Sequence, residues 1–262
     1  MFTLTPWIRR VAAFLVAMGW AAAGPVAQAQ ATFPNRPIKM IVPYAAGGFS
    51  DQASRIIAES MSKTLGQPVI IDIRTGGGGR IGAEAITKLP ADGHDLLMTT
   101  NGTHTYMAVT EKNLSYDPIN DFTPISMVGS YGLLMVVNNA LPVTNLQEFI
   151  QYARQNPGKL NYASSGMGSG LHFAGEVFKS MGKLEMTHVP YRGIGAAYPD
   201  VMSGKVQLAF SSIAGAVPFT ADQRVRPIAT TGSARSPVYP DVPTVAESGL
   251  PGFDVDLWIG IY

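Results

Sequence analysis

From residue 38 onward, short runs of aliphatic and β-branched residues alternate with longer stretches whose apolar positions recur at helical spacing. Residues 38–43 read as a buried strand and 52–65 as a helix, with Ala53, Ile56, Ile57, Ser60, Met61 and Leu65 along one face. Asp51 falls at the N-cap position, where a side-chain oxygen satisfies an orphan backbone N–H. Residues 69–73 predict a second strand, 81–89 a second helix stopped by Pro90, and 96–100 a third strand. Strand–helix units in this order imply an α/β fold with a parallel sheet.

Residues 122–138 hold two extended runs around Gly129 and Gly132, after which the pattern restarts. Helices are predicted over 146–155, 170–181 and 197–203, and strands over 160–163, 186–190, 206–210 and 226–231. Two α/β blocks result, joined by crossings near 120–135 and 230–255. A chain that crosses twice inserts its second block into its first, a hinge arrangement. Residues 32–125 with 232–262 then form one lobe and 126–231 the other. The sequence stops at Trp258-Ile259-Gly260-Ile261-Tyr262, in the middle of a strand-like run, and so reads as a fragment whose C-terminal part, missing here, would complete the first lobe.

Composition narrows the classes. With 262 residues, 46% hydrophobic and 14% charged, the chain can bury a sizeable core and is too apolar for disorder. A net charge of +1 supplies no field for nucleic acid or an acidic membrane surface. The absence of cysteine excludes disulfides, thiol catalysis, thiolate metal sites and a lipidated N-terminal Cys. Residues 1–31 have the make-up of a Sec-type signal peptide. Arg9 and Arg10 precede an apolar run over 11–23, followed by a small-x-small pattern at Ala27-Gln28-Ala29 or Ala29-Gln30-Ala31. An exported chain without cysteine fits the periplasm of a Gram-negative bacterium.

The candidate chemistry lies in four polar turns. Val42-Pro43-Tyr44-Ala45-Ala46-Gly47-Gly48-Phe49-Ser50-Asp51 and Gly76-Gly77-Gly78-Gly79-Arg80-Ile81-Gly82 each follow a strand and open a helix. Glycines there let backbone N–H groups approach an anion, and a helix N-terminus adds about half a positive charge. Thr99-Thr100-Asn101-Gly102-Thr103-His104 and Ser164-Ser165-Gly166-Met167-Gly168-Ser169-Gly170 end two further strands, where open parallel sheets bind ligands. Any one such turn is also ordinary capping chemistry; four of them on two facing blocks point to a cleft. Gly77 to Gly82 formally matches the dinucleotide fingerprint, which allows an exported NAD(P)-dependent oxidoreductase. The acid that fingerprint needs about 20 residues later is absent, its place taken by Thr99-Thr100-Asn101. His94, His104, His172 and His188 are scattered without metal-ligand spacing, and no nucleophile–base–oxyanion set assembles. The residues therefore point to a binding protein and not an enzyme, with neither cofactor nor metal.

The order of motifs resembles a known family. Pro34-Asn35-Arg36-Pro37-Ile38 is followed by the Tyr44 turn, Arg80-Ile81-Gly82-Ala83-Glu84 and Pro90-Ala91-Asp92-Gly93-His94. The Ser164 turn, His188-Val189-Pro190-Tyr191-Arg192-Gly193 and Pro240-Asp241-Val242-Pro243-Thr244-Val245-Ala246-Glu247-Ser248-Gly249 complete it. The whole is similar to the Bug family, periplasmic substrate-binding proteins of tripartite tricarboxylate transporters. The resemblance implies a two-lobed periplasmic binding protein of the type II-like, Venus-flytrap kind, monomeric, closing on a small carboxylate or related solute and passing it to a membrane permease. A ligand-sensing role with a two-component sensor kinase is the alternative within that resemblance. Carried over to this chain, the ligand-binding residues are Tyr44, Ala45, Gly47, Gly48 and Asp51 of the first turn, Asn101 and Thr103, Ser164, Ser165, Gly168 and Ser169, His172, Tyr191 with Arg192, and Ser211. Where the family often has an acid after the strand ending at Phe210, this chain has Ser211-Ser212, which weakens the case for an amino-acid ligand. Tyr44 stands where Phe is common and adds a hydroxyl.

Overall fold

The parallel strands in the middle of their sets, residues 38–42 and 160–164, are buried along nearly their whole length, as strands covered on both faces are. The computed structural model describes residues 33–262, so the signal-peptide reading of 1–31 lies outside the described residues. β1 (Ile38–Val42) runs parallel between β2 (Val69–Ile73) and β3 (Asp95–Thr100). β5 (Leu160–Ser164) runs parallel between β6 (Met186–Pro190) and β7 (Leu208–Ser212). Where these sets meet, the parallel expectation fails. β4 (Ser126–Val137) and β9 (Asp256–Ile261) run antiparallel to their neighbours, and β8 (Arg226–Thr230) pairs antiparallel with β4. The outcome is one nine-stranded mixed sheet, β2-β1-β3-β9-β4-β7-β5-β6, with β8 on β4.

β4 is one 12-residue strand where the sequence pattern shows two runs. Its first half, Ser126 to Gly132, pairs with β9 through a register shift between Met127 and Gly129; its second half, Leu133 to Val137, pairs with β7.

Among the described residues, seven α-helices connect the strands: α1 (Phe49–Leu65), α2 (Arg80–Ile86), α3 (Met107–Thr110), α4 (Leu146–Gln155), α5 (Gly170–Gly182), α6 (Tyr198–Met202) and α7 (Ile213–Ala221). α1 starts earlier than the apolar spacing suggests, and its N-cap is Gly48, not Asp51. Asp51 lies in the first turn, where its buried carboxylate accepts the Gly47 N–H at 2.8 Å and pairs with Arg55 Nε at 2.8 Å. An acid at the third helical position can reach back past the cap in this way, as in a capping box. Ala53, Ile57, Met61 and Leu65 pack onto β1–β3, whereas Ile56 is 71% exposed. α7 is absent from the sequence reading because Pro218 in its interior removes a donor; Ser212 Oγ, accepting the Gly215 N–H at 3.2 Å, starts it.

The buried apolar residues gather in four clusters, two around β1–β3 and two around β4–β7. Ile38, Met40, Val42, Leu96 and Met98 pack with Ile259 and Ile261 on one face of β1, β3 and β9, while Ile41, Ala83, Leu97 and Tyr116 form a second cluster. Leu133, Met135 and Val137 point into a core with Phe149, Tyr162, Phe178 and Phe210, and Leu134 and Val136 into the opposite one with Tyr198, Val201 and Ala209. That alternation is the two-residue period of a strand buried on both faces. Val245, Leu250, Phe253, Val255 and Leu257, which the sequence pattern assigns to the first lobe, pack into the core containing Phe178. No described helix is long and apolar enough to cross a membrane.

Candidate ligand-binding cleft

A cleft of about 1100 Å³ opens beyond the carboxyl ends of the parallel strands. One wall is the turn after β1, from Pro43 through the start of α1, together with Gly76 to Gly79. The other is the turn after β5 into α5, the Pro190–Ala196 stretch after β6, and the start of α7 at Ser212, Ala214 and Gly215. The first residues of α1, α5 and α7 thus all line one space, and each helix brings the positive end of its dipole to it. Gly48 supplies no side-chain cap to α1, so the first turn's N–H groups keep no partner of that kind.

Among the described residues, no Asp or Glu lines the cleft, and Arg192 is its one charged lining side chain. The tyrosines there are neutral hydroxyl groups at ordinary pH. Burial raises the Tyr44 phenol above its usual range, outweighing the 2.6 Å hydrogen bond to Thr100 Oγ1. Burial, then the hydrogen bond to Asp200 at 2.7 Å, pushes Tyr191 up to about 12. Burial likewise raises Tyr131. Phe49 and Tyr131 meet at 4.1 Å between ring centroids and give the wall an apolar section.

The two walls touch. Gly78 has φ +65°, and a Cβ there would run into the Met167 carbonyl oxygen and come within 2.8 Å of Met107 Cε. A Cβ on Gly193 would lie 2.6 Å from that of Ala45. Glycine at both positions lets the opposing loops close to backbone contact.

The turns are held from behind. Thr100 Oγ1 accepts the Gly102 N–H at 3.1 Å, and Thr103 Oγ1 donates to Thr100 O at 3.1 Å and meets Thr99 Oγ1. Asn101 Nδ2 donates to the Tyr106 hydroxyl at 2.7 Å and to Asp256 O at 3.2 Å. In the Ser164 turn, Ser169 Oγ donates to Gly166 O at 2.7 Å and accepts the His172 N–H at 3.3 Å, capping α5.

Of the residues carried over to the site, Tyr44, Ala45, Gly47, Gly48, Ser165, Ser169 and Tyr191 line the cleft, as does Arg192. Asp51, Asn101, Thr103, Ser164, Gly168, His172 and Ser211 are not among the lining residues. Asp51 braces the first turn, Asn101 and Thr103 are buried in the hydrogen bonds just described, and Ser211 is fully buried with its Oγ donating to Ser212 O at 3.1 Å. Ser164 and Gly168 belong to the Ser164 turn but bond away from the cleft, to His188 Nε2 and His172 Nδ1, and His172 lies behind the turn. Tyr131, Phe219 and the Ser212–Gly215 corner line the cleft without having been singled out. Tyr131 and Phe219 look like core aromatics in the sequence; the signal for the corner is a serine ending a fully buried strand three residues before a glycine. A Cβ at Gly79, the second glycine of the dinucleotide fingerprint, would lie 2.7 Å from the Thr103 side chain and 3.1 Å from the Tyr44 ring.

Comparison with known proteins agrees with this architecture. The model of the tripartite tricarboxylate transporter family receptors matches residues 53–262. The UPF0065 protein in the tcbD-tcbE intergenic region of Pseudomonas sp. (strain P51) is 36% identical over 241 residues, covering 90% of this chain and 70% of its own. Rpa4515 of R. palustris, solved with adipate, superposes with a TM-score of 0.84 at 36% identity, covering 87% of this chain and 77% of its own. MatC (Rpa3494) from Rhodopseudomonas palustris, solved with bound malate, gives 0.82 at 35% identity, with 87% and 78% covered. The chain therefore belongs to the tripartite tricarboxylate transporter receptor family.

Proposed function

We propose that this receptor works in the periplasm, holds a small carboxylate in the cleft between two lobes, and hands it to its transporter's membrane permease. The first lobe is built on β1–β3 with the end of β9, and the second on β5–β8. The observation that carries the reading is the sign of the cleft: three helix N-termini and Arg192 face it, and no described acid does. Hydrogen bonds to an ionised group contribute about 1.5–3 kcal/mol each, so a few of them support roughly micromolar affinity. The adipate and malate in the two solved relatives are carboxylates of this class. With serines at 211 and 212 and no acid on the wall, an ammonium group would be left unpaired, so amino acids are poor ligands.

Isothermal titration of the purified protein with malate, adipate and aspartate tests this. Binding of at least one of the first two, with aspartate weaker, is the expected result. A folded protein that binds none of a wider series of mono-, di- and tricarboxylates would remove the reading.

A further inference from the structure

Behind the Ser164–Ser169 turn two imidazoles stack, His172 from α5 on His188 from β6, with ring centroids 4.2 Å apart and planes at 28°. Each meets a polar group of the turn. The Gly168 N–H donates to His172 Nδ1 at 3.3 Å, and Ser164 Oγ lies 2.6 Å from His188 Nε2. A nitrogen that accepts an N–H carries no proton, so the His172 proton sits on Nε2, facing Glu176 Oε1 at 4.0 Å. Ser164 Oγ accepts the Gly166 N–H at 3.1 Å, and its one proton has two acceptors in reach, His188 Nε2 at 2.6 Å and Gly166 O at 3.2 Å. With that proton on the shorter contact, both rings are neutral acceptors.

The other charged and titratable groups around the pair fit that state. Glu176 is already committed: it accepts the Tyr162 hydroxyl at 2.6 Å and pairs with Lys179 Nζ at 2.8 and 3.0 Å. The Tyr162 ring stacks on His188 at 5.0 Å. Burial lowers both imidazoles, His188 to about 4; for His188 the neighbouring His172 lowers it further and Glu176 opposes, while for His172 Glu176 opposes and Lys179 adds to the lowering.

We propose that His172 and His188 are positioning residues: as uncharged acceptors they hold Gly168 N–H and Ser164 O–H from behind and so fix the lining face of the turn, without touching ligand. This rests on the turn being a wall of the binding cleft. Protonating His172 would set two donors, its Nδ1–H and the Gly168 N–H, against each other. Asn at 172 keeps an acceptor near the Nδ1 position, whereas Leu keeps only bulk.

The test uses nitrogen NMR of the imidazoles and amide exchange in the protein without ligand, then calorimetry with adipate and malate. At pH 7 His172 should be neutral with its proton on Nε2. Gly168 amide protection should fall about tenfold in His172→Leu and stay within about threefold in His172→Asn. Affinity for whichever probe binds should follow the same order. A His172 proton on Nδ1 at pH 7, or a Leu variant with unchanged Gly168 protection, overturns the proposal. If neither probe binds the unaltered protein, the carboxylate reading fails, while tautomer and exchange still decide the positioning claim.

Discussion

Gly78 shows how a single residue can carry the contact between the two walls. Its φ of +65° and the Met167 carbonyl in front of it leave no room for a side chain. Gly78→Ala should cost about 1–2 kcal/mol of stability through the left-handed backbone alone. It should also weaken carboxylate binding by about tenfold or more, because the Gly78–Met167 approach of the walls is pushed apart. Urea unfolding and calorimetry read the two effects separately; stability loss with unchanged affinity would detach the Gly78 contact from binding. Two histidines set a pH dependence. Burial lowers His104 and His188 to about 4 in the folded chain, against about 6.5 when unfolded. Between those values the unfolded chain binds protons that the folded chain does not, so their contribution to stability is complete above pH 6.5 and is lost as pH falls toward 4. Urea midpoints at pH 7.5, 5.5 and 4.5 should drop in that order, and His104→Gln should flatten the slope. Gly48 and Ser169 reach the lining on turns that the sequence shows after strands of two facing blocks, a grouping that one turn alone, as ordinary capping chemistry, would not reveal; Tyr44 came from the family resemblance. Tyr131 and Phe219 were not, since an aromatic in an apolar run reads as core whether it faces a core or a cleft.

At the scale of elements, periodicity finds what one face of packing dictates and misses what local capping decides. The α4 pattern is found because Leu146, Phe149, Ile150 and Ala153 are all buried on one side, with Asn145 Oδ1 accepting the Glu148 N–H at 2.9 Å. The start of α1 is misplaced because a glycine cap leaves no side-chain signal, and α7 is missed because its proline outweighs its serine cap. Ser212→Ala should cost about 1 kcal/mol of stability by removing that cap. It should also weaken carboxylate binding, because the α7 start lines the cleft. Chemical denaturation with parallel calorimetry checks both. β4 was read as two runs for a physical reason: its halves serve different partners, β9 and β7, and the half on β9 carries glycines at 129 and 132 that interrupt the apolar pattern. Phe178→Ala, in the core below α5, should destabilise the protein by about 3–5 kcal/mol as a large side chain leaves a buried site.

For the whole molecule, the α/β class and the restart of the pattern after residue 138 follow from hydrophobic spacing. The antiparallel join by β4 and β9 does not, because a short extended run carries no mark of the direction of the neighbour it pairs with. Nor does the placement of Val245–Leu257 in the core with Phe178, since long-range packing leaves no local period. The cleft's sign emerges only at this scale. No single turn is strongly cationic, and the net charge is only +1, yet three helix starts converge where no described acid lines the wall. Ligand charge is therefore the property that decides binding. The most direct measurement is isothermal titration of the purified protein with malate and adipate, each compared with its uncharged diamide. If carboxylate charge is what the cleft holds, at least one acid binds at roughly micromolar affinity and its diamide loses most of that affinity. Equal binding of acid and diamide, or binding of the diamide alone, would contradict it.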